Sequence, residues 1–291
     1  MERPKTVSII IPAYNEGDCI GKIVRKIYQT ISKDYQEFEV IVVDDGSTDG
    51  TADHAEQAGA KVIRHPYNIG NGAAIKTGMR NAQGEVIVLM DGDGQHNTND
   101  IPVLLHSMDT YDMVVGSRTS DSESILHRKI ANKIYNLLAS YITNRKIPDL
   151  TSGFRAVKKD IARKFLYLLP NTFSYPSTLT LSLLKAGYAV LFQPVKVSKR
   201  VGKSKISLLK DGVRFFLIIS KIATLFAPLK VFLPASIAFF LSGIGYYLYT
   251  FYTAHRFTNM SLLLIVAGVL LFLLGLISEQ IAQLRYDRSE D

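Results

Sequence analysis

Two long uncharged runs near the C-terminus restrict what this chain can fold into more than any other feature. Residues 231–254 and 257–278 contain no Asp, Glu, Lys or Arg, and only His255 and Arg256 separate them. A bilayer core of about 30 Å is crossed by about 20 apolar residues at a helical rise of 1.5 Å. Buried core helices seldom stay uncharged over this length, so the runs predict a hairpin of two transmembrane helices, at about 231–253 and 258–279.

The positive charge of the chain lies directly before the first of these runs. The 291 residues carry 34 Lys and Arg against 26 Asp and Glu, a net charge of +8. Residues 196–230 hold nine basic residues and one acid, which accounts for the whole excess. By the positive-inside rule this side is cytoplasmic, so we expect a multi-pass protein of the cytoplasmic membrane with both termini in the cytoplasm. Nucleic-acid binding is disfavoured, because the charge abuts a membrane helix.

The residues between the soluble part and the hairpin have their own pattern. In the segment 204–228, Lys210, Arg214 and Lys221 fall within about 40° of one another on a helix whose other faces are apolar. This pattern predicts an amphipathic helix at the membrane interface, and a surface helix packed on the soluble domain is the alternative. The predicted organisation is then a cytoplasmic catalytic domain at 1–203, this helix, the hairpin at 229–284 and a tail at 285–291.

The soluble part alternates short β-branched runs with amphipathic stretches. The runs TVSIII, FEVIVV, KVIR, EVIVLM and DMVVG predict strands, and a helix is predicted at about 126–142. This alternation is typical of βαβ units in a mainly parallel sheet, the α/β class. Ligands of such sheets bind at the carboxyl ends of the strands, and polar clusters follow four of them. The clusters are residues 12–16, 44–49, 91–96 and 116–118.

The cluster DGDGQH places two carboxylates at the end of a strand. Asp91 and Asp93 flank one glycine, so a cation is needed to offset their repulsion if they lie close together. Mg²⁺ typically binds one or two carboxylates together with substrate phosphates. A turn stabilised by Asp side chains is the alternative. The neighbouring acidic loops favour a metal site.

The cluster DDGSTD holds two consecutive acids, Asp44 and Asp45, which could accept hydrogen bonds from a nucleotide base or ribose. The glycines of HPYNIGNGAAIKTG lack the spacing and position of the dinucleotide fingerprint. P-loop and Ser-His-Asp elbow motifs are missing from the sequence as well. No metal role is assigned to the histidines 65, 96 and 127, which do not cluster with cysteine.

Taken in order, the motifs IPAYNE, VVDDGSTDGT, DGDGQH, GSR and DLTSGFR resemble those of family-2 glycosyltransferases. The motif RVGKSKIS followed by the hairpin looks like the polyprenyl-phosphate branch, which is dolichyl-phosphate mannose synthase-like. The resemblance implies a GT-A-type, Rossmann-like mainly parallel sheet, a nucleotide-sugar donor, a polyprenyl phosphate acceptor and Mg²⁺ or Mn²⁺.

The resemblance also implies site residues. Contact with the nucleotide-sugar is implied for Pro12, Tyr14, Glu16, Asp44, Asp45, Lys76, Asp91 and Gln95. The metal would be held by Asp91, Asp93 and Gln95. Phosphate or acceptor binding is implied for Arg118, Arg200, Lys203 and Lys205. The catalytic residues would be Asp93, Arg118 and Asp149.

The chemistry of the implied reaction agrees with these residues. An acceptor phosphate displaces the nucleoside diphosphate from the sugar with inversion, while the metal stabilises the charge of the leaving group. Asp149 is the candidate base or acceptor-positioning carboxylate, with a capping role as the alternative. Arg118 and Arg155 suit bidentate phosphate or carboxylate binding, although each could form a structural ion pair.

Two other functions fit the sequence less well. Processive polysaccharide synthases share the fold but carry a Gln-x-x-Arg-Trp motif, and this chain contains no tryptophan. A catalytically silent nucleotide-sugar-binding scaffold is disfavoured by the intact Asp91 and Asp93. Exposed apolar faces on the hairpin are compatible with a homo-oligomer.

Overall fold

The computed structural model describes residues 6–118, 126–171, 174–197 and 224–287. The chain divides into two compact units, Met1–Ile206 and Ser207–Asp291. The domain boundary at residue 203 stays a prediction. The predicted amphipathic helix at 204–228 lies outside the described residues up to residue 223.

The first unit is an α/β structure. Its strands are β1 (Thr6–Ala13), β2 (Glu37–Asp44), β3 (Lys61–Arg64), β4 (Val86–Leu89), β5 (Met113–Arg118), β6 (Arg155–Lys158) and β7 (Val190–Val195). Its helices are α1 (Ile20–Ile31), α2 (Thr51–Gln57), α3 (Asn71–Asn81), α4 (Ile101–His106), α5 (Leu126–Thr143), α6 (Lys159–Lys164) and α7 (Tyr175–Lys185). The helix predicted at 126–142 is therefore present as α5.

The seven strands form one sheet in the order β3-β2-β1-β4-β6-β5-β7. The pairs β1–β2, β1–β4, β2–β3 and β5–β7 are parallel, which confirms the predicted mainly parallel sheet. Strand β6 runs antiparallel to both β4 and β5. Its amino end therefore lies at the edge where β1, β2, β4 and β5 end, so the loop DLTSGF joins the four polar clusters there.

Alternation along the central strands gives the sheet two apolar faces. In β1, Ile9 and Ile11 pack on one face and Ile10 on the other. Helices α1, α2 and α4 contribute to the first core, and α3, α6 and α7 contribute to the second. Helix α1 packs on the first core because its buried residues recur at helical spacing and so form one apolar face. They are Ile20, Gly21, Ile23, Val24, Ile27 and Ile31.

The second unit contains α8 (Pro228–Ala254) and α9 (Asn259–Asp287). Both are long and apolar enough to cross a membrane, over Pro228–Ala254 and Asn259–Leu284, as the uncharged runs predicted. The helices approach closely where side chains are small. A Cβ on Gly268 would lie 2.9 Å from the backbone nitrogen of Phe240, and Ser236 Oγ donates to the Gly268 carbonyl at 2.8 Å.

Candidate active site

The loop after β1 is fixed to the loop after β2 by side chain–backbone hydrogen bonds. Asn15, which has a positive φ of 55°, donates its N–H to Ser47 Oγ at 2.9 Å. Its own Oδ1 accepts the N–H of Thr48 at 2.9 Å. Tyr14, which precedes Asn15 in the same loop, is exposed by 42%. The two loops that the resemblance assigns to the nucleoside are thus neighbours.

The two consecutive acids at the end of β2 are buried, with exposures of 5% for Asp44 and 3% for Asp45. Asp45 accepts the backbone N–H groups of Ile69 at 3.0 Å and Gly70 at 2.8 Å, and lies 2.7 Å from His65 Nδ1. Both of its carboxylate oxygens therefore bond the loop that precedes α3. Asp45 positions this loop, and its contact with a nucleoside stays a prediction.

The acidic loop after β4 is organised differently. Asp91 keeps 33% of its side chain exposed, and Asp93 is half-buried. The N–H of Gln95 donates to Asp93 Oδ1 at 3.2 Å, and Gly94 has a φ of 73° that favours glycine. A Cβ on Gly153 would lie 2.4 Å from Asp91 Oδ2. Glycine at 153 therefore lets the loop before β6 approach the Asp91 carboxylate.

The donor atoms of this loop suit a hard divalent cation. Asp91 and Asp93 could supply carboxylate oxygens and Gln95 an amide oxygen, and the Asp91 carboxylate lies where a Cβ on residue 153 would be. Within the described ranges, no group of three or more His, Cys, Asp or Glu side chains could hold a metal. Two carboxylates still fit Mg²⁺ or Mn²⁺, because these ions share their coordination with substrate phosphates and water.

Arg118, the last residue of β5, forms an ion pair with Asp149. Its Nε lies 2.7 Å from Asp149 Oδ2, its terminal nitrogen lies 2.9 Å from Oδ1, and its backbone N–H donates to Oδ2 at 3.1 Å. Burial alone would raise the pKa of Asp149, but the hydrogen bonds and charge of Arg118 outweigh it and lower the pKa. Burial disfavours the charged form of Arg118 too, and Asp149 outweighs this and raises its pKa. The pair is charged at neutral pH.

His96 ends the acidic loop, and its side chain is buried near Asp91 and the Arg118–Asp149 pair. Its Nε2 lies 4.0 Å from Asp91 Oδ2, and its ring stacks on Phe154 with a centroid distance of 4.9 Å. Burial lowers the pKa of His96 to about 4, and the charges of Asp93, Arg118 and Asp149 all act on it. The loops after β4 and β5 and the loop before β6 therefore form one electrostatic site.

Arg155 is held by neutral oxygen atoms inside the unit. It is fully buried and donates to the Pro176 carbonyl at 2.8 Å, to Thr180 Oγ1 at 3.0 Å and to the Ser152 carbonyl. Burial lowers its pKa. Bidentate anion binding and a structural ion pair were the two predicted roles of Arg155, and among the described residues its guanidinium is instead buried against neutral oxygen atoms.

Of five further residues predicted to contact the donor or acceptor, the structure describes two. Pro12 is buried in β1, opposite Val43. Lys76 donates to the Leu169 carbonyl at 3.1 Å and to Asn171 Oδ1, so it bonds the segment before α7. The basic residues of the motif RVGKSKIS lie outside the described ranges, and these are Arg200, Lys203 and Lys205.

The residue that sequence reasoning missed is Gly153. The available signal was a glycine directly before a strand in a motif that already contained Asp149. Cys19, the single cysteine of the chain, is half-buried and its Sγ lies 3.2 Å from the Gly92 carbonyl. It therefore links the start of α1 to the acidic loop, and burial together with Glu16 raises its pKa to about 12.

Curated proteins and solved structures resemble this chain over different lengths. An undecaprenyl-phosphate 4-deoxy-4-formamido-L-arabinose transferase of Photorhabdus laumondii is 31% identical over 60% of this chain and 58% of its own length. Glycosyltransferase AglJ of Haloferax volcanii is 28% identical over 99% of this chain and 97% of its own. The chain thus spans less than two thirds of the first relative and nearly all of the second.

Among solved structures, glucosyl-3-phosphoglycerate synthase from Mycobacterium tuberculosis, in complex with Mn²⁺, UDP and glucosyl-3-phosphoglycerate, superposes with a TM-score of 0.60. The match covers 75% of this chain and 79% of that chain at 19% identity, and it shows a shared fold. Family matches cover both units of the chain. Residues 227–284 match the GtrB C-terminal hairpin, and residues 8–166 match Glycosyl transferase family 2. The protein therefore belongs to glycosyl transferase family 2.

Proposed function

We propose that this glycosyltransferase moves one sugar from a nucleotide-sugar, an NDP-hexose such as UDP-glucose, UDP-GlcNAc or GDP-mannose, to a polyprenyl phosphate. The observation that carries the proposal is the meeting of the 91–95 loop with the Arg118–Asp149 pair at one sheet edge, in a chain that also has a two-helix hairpin. The named activity of the Photorhabdus relative, transfer to undecaprenyl phosphate, supports the acceptor class.

In the proposed reaction, an acceptor phosphate oxygen attacks the anomeric carbon of the donor sugar. A new carbon–oxygen bond forms, and the bond to the diphosphate breaks with its electron pair on the leaving oxygen. Attack from the side opposite the leaving group inverts the anomeric configuration. The product is a sugar linked to the lipid through one phosphate.

The residues for the leaving group are those of the acidic loop. A divalent cation held by Asp91, Asp93 and Gln95 would supply positive charge to the diphosphate. Gly153 contributes by leaving room for Asp91. The loop is held at the sheet edge by the Met90 N–H, which donates to the Ile10 carbonyl at 3.1 Å.

We propose that Asp149 positions Arg118 and does not act as a general base. A polyprenyl phosphate has a second pKa of about 6, so it is largely dianionic at neutral pH and needs no strong base. Asp149 has a lowered pKa and both of its oxygens accept hydrogen bonds from Arg118. Such a carboxylate is a weak proton acceptor. It would hold the Arg118 guanidinium in place for the incoming phosphate.

The location follows from the charge of the sequence. We propose that the catalytic unit and both termini are cytoplasmic, because the basic residues precede α8. The basic residues at 200, 203 and 205 would then lie near the acceptor phosphate at the membrane surface.

The test uses the purified full chain with Mg²⁺ or Mn²⁺, a panel of labelled nucleotide-sugars and polyprenyl phosphate. One donor should yield a labelled lipid, chelation should stop its formation, and Asp93→Asn should remove it. Asp109→Asn, an exposed acid elsewhere on the unit, is the control and should keep full activity. Wild-type turnover by Asp93→Asn would refute the assignment of the acidic loop, and no labelled lipid with any donor would refute the function.

A further inference from the structure

Arg155, the first residue of β6, is a buried charge. It is 0% exposed, and an arginine keeps its proton inside proteins. Within the described ranges, its hydrogen bonds go to neutral oxygen atoms, which are the carbonyls of Ser152 and Pro176 and Thr180 Oγ1. A buried cation is costly unless negative charge lies near it. The charge that offsets Arg155 therefore acts from beyond its hydrogen-bond partners.

Two carboxylates of the candidate site supply this negative charge. Burial lowers the pKa of Arg155, and Asp149 and Asp91 are among the groups that act against this shift. Burial alone would also lower the pKa of Arg118, and the same two carboxylates raise it. The Asp91 carboxylate packs on the chain just before Arg155, because its Oδ2 lies 2.4 Å from the position of a Cβ on Gly153. The buried guanidinium thus belongs electrostatically to the acidic loop.

This arrangement changes what a ligand meets at the acidic loop. The guanidiniums of Arg118 and Arg155 already offset much of the charge of Asp91 and Asp149. A divalent cation beside Asp91 is repelled by Arg155, whereas a diphosphate is attracted by it. Both effects are stronger inside a protein than in water, because the interior screens charge less. The charge of Arg155 therefore acts with opposite sign on the two ligands.

We propose that Arg155 is a positioning residue whose buried charge stabilises the Asp91 carboxylate in the free protein, weakens cation binding there and favours the donor diphosphate. The inference rests on the proposed function, which places a divalent cation at the 91–95 loop, and it adds a residue that acts on this loop from inside the protein. Because the protein alone holds the cation loosely, it can release its nucleoside diphosphate product together with the cation after each transfer.

Two pairs of variants separate the charge of Arg155 from its hydrogen bonds. Arg155→Gln removes the charge and keeps an N–H donor, whereas Arg155→Lys keeps the charge and loses the planar fork. Thr180→Asp leaves the guanidinium in place and sets a carboxylate beside it, since Thr180 Oγ1 accepts from Arg155 at 3.0 Å. Thr180→Asn has nearly the same shape without the charge and is the matched control. If Arg155→Gln does not fold, Thr180→Asp carries the same test.

The measurement uses the purified full chain. Electron paramagnetic resonance of unbound Mn²⁺ gives the cation affinity without nucleotide, and calorimetry at saturating Mn²⁺ gives the affinity for UDP and GDP. Arg155→Gln and Thr180→Asp should bind Mn²⁺ about tenfold more tightly than the wild type and the nucleoside diphosphate about threefold more weakly. Arg155→Lys and Thr180→Asn should stay within about twofold of the wild type for both ligands.

The opposite signs distinguish charge from packing. If Arg155→Gln weakened both ligands, or if Arg155→Lys behaved like Arg155→Gln, Arg155 would only tie β6 to α7 and the inference would be overturned. Wild-type affinities in Arg155→Gln and Thr180→Asp would overturn it as well, and sugar transfer would still stand. A wild-type protein that bound no Mn²⁺ even with UDP or GDP would instead contradict the cation of the proposed function.

Discussion

Two acidic pairs occupy the same edge of the sheet and are used in different ways. Asp44 and Asp45 are buried, and both oxygens of Asp45 bond the loop before α3. Asp91 keeps a third of its side chain exposed, and its carboxylate packs directly against Gly153. Asp45 is therefore bonded into the protein, whereas Asp91 stays partly open to solvent. Position at a strand end does not distinguish them, whereas the packing of the following loops does.

The largest effect expected from this comparison is on Asp91. Asp91→Asn should lower the rate of sugar transfer about a thousandfold, because a metal contributes several kcal/mol of charge stabilisation. The melting temperature should change little, since the side chain is partly exposed. Single-turnover kinetics and calorimetry on the same preparation measure both. A large drop in melting temperature would show that Asp91 belongs to the scaffold like Asp45.

The next effect concerns the space beside Asp91. Gly153→Ala places a Cβ where Asp91 Oδ2 lies, 2.4 Å away, so the carboxylate or the loop must move. A shift of about 1 Å in the Asp91 carboxylate, near the reacting groups, should lower the rate of sugar transfer about a hundredfold. Weaker Mn²⁺ binding, measured by titration calorimetry, should accompany it. Gly245→Ala, where a Cβ meets no atom within 4 Å, is the control. Unchanged Mn²⁺ affinity in Gly153→Ala would show that the Asp91 carboxylate does not take part in metal binding.

The buried pair should respond in stability. Asp45→Asn removes a charged acceptor from two backbone N–H groups and should lower the free energy of unfolding by about 1–3 kcal/mol. Asp53→Asn breaks an exposed ion pair with Arg64, 2.6 Å long, and should cost less than about 1 kcal/mol. Denaturant unfolding of the two variants makes the comparison. Equal costs would mean that Asp45 does not hold its loop.

The smallest expected effect is on the pH dependence of folding stability, to which Asp149 contributes. Burial opposes its charge, but Arg118 lowers its pKa, so the pair stabilises the fold above the unfolded pKa of about 3.9. This contribution is lost as pH falls through the lower folded pKa. Asp149→Asn should therefore be less stable at neutral pH and show a shallower loss of stability below about pH 4. Thermal unfolding between neutral and acid pH measures the slope, and identical slopes would contradict a charged pair.

Much of the fold could be predicted from the sequence, because the signals are local. The runs in β1, β2 and β4 alternate between two apolar cores, and the uncharged runs of the hairpin are unmistakable in length. The antiparallel direction of β6 was not predictable. A four-residue strand carries no signal of its direction, which is set by pairing with β4 and β5.

The site divides in a similar way. The acidic loop at 91–95 was predicted as a unit because its residues are adjacent in the chain. The Arg118–Asp149 pair joins residues 31 positions apart, and the sequence left open whether Arg155 binds an anion or forms a structural ion pair, whereas the structure buries it. Motifs identify which residue types are present. Their partners depend on loops that approach from elsewhere in the sequence.

The two long apolar helices, the α/β class and the positions of the acidic clusters could be predicted from the sequence, because length, charge and periodicity are properties of contiguous residues. Which acids are buried and which stay partly exposed depends on tertiary contacts. Burial and hydrogen bonding determine the environment of a carboxylate, and at this sheet edge both are set by segments that are distant in sequence. Asp45 depends on the loop before α3, Asp149 on the end of β5, and Asp91 on a single glycine before β6.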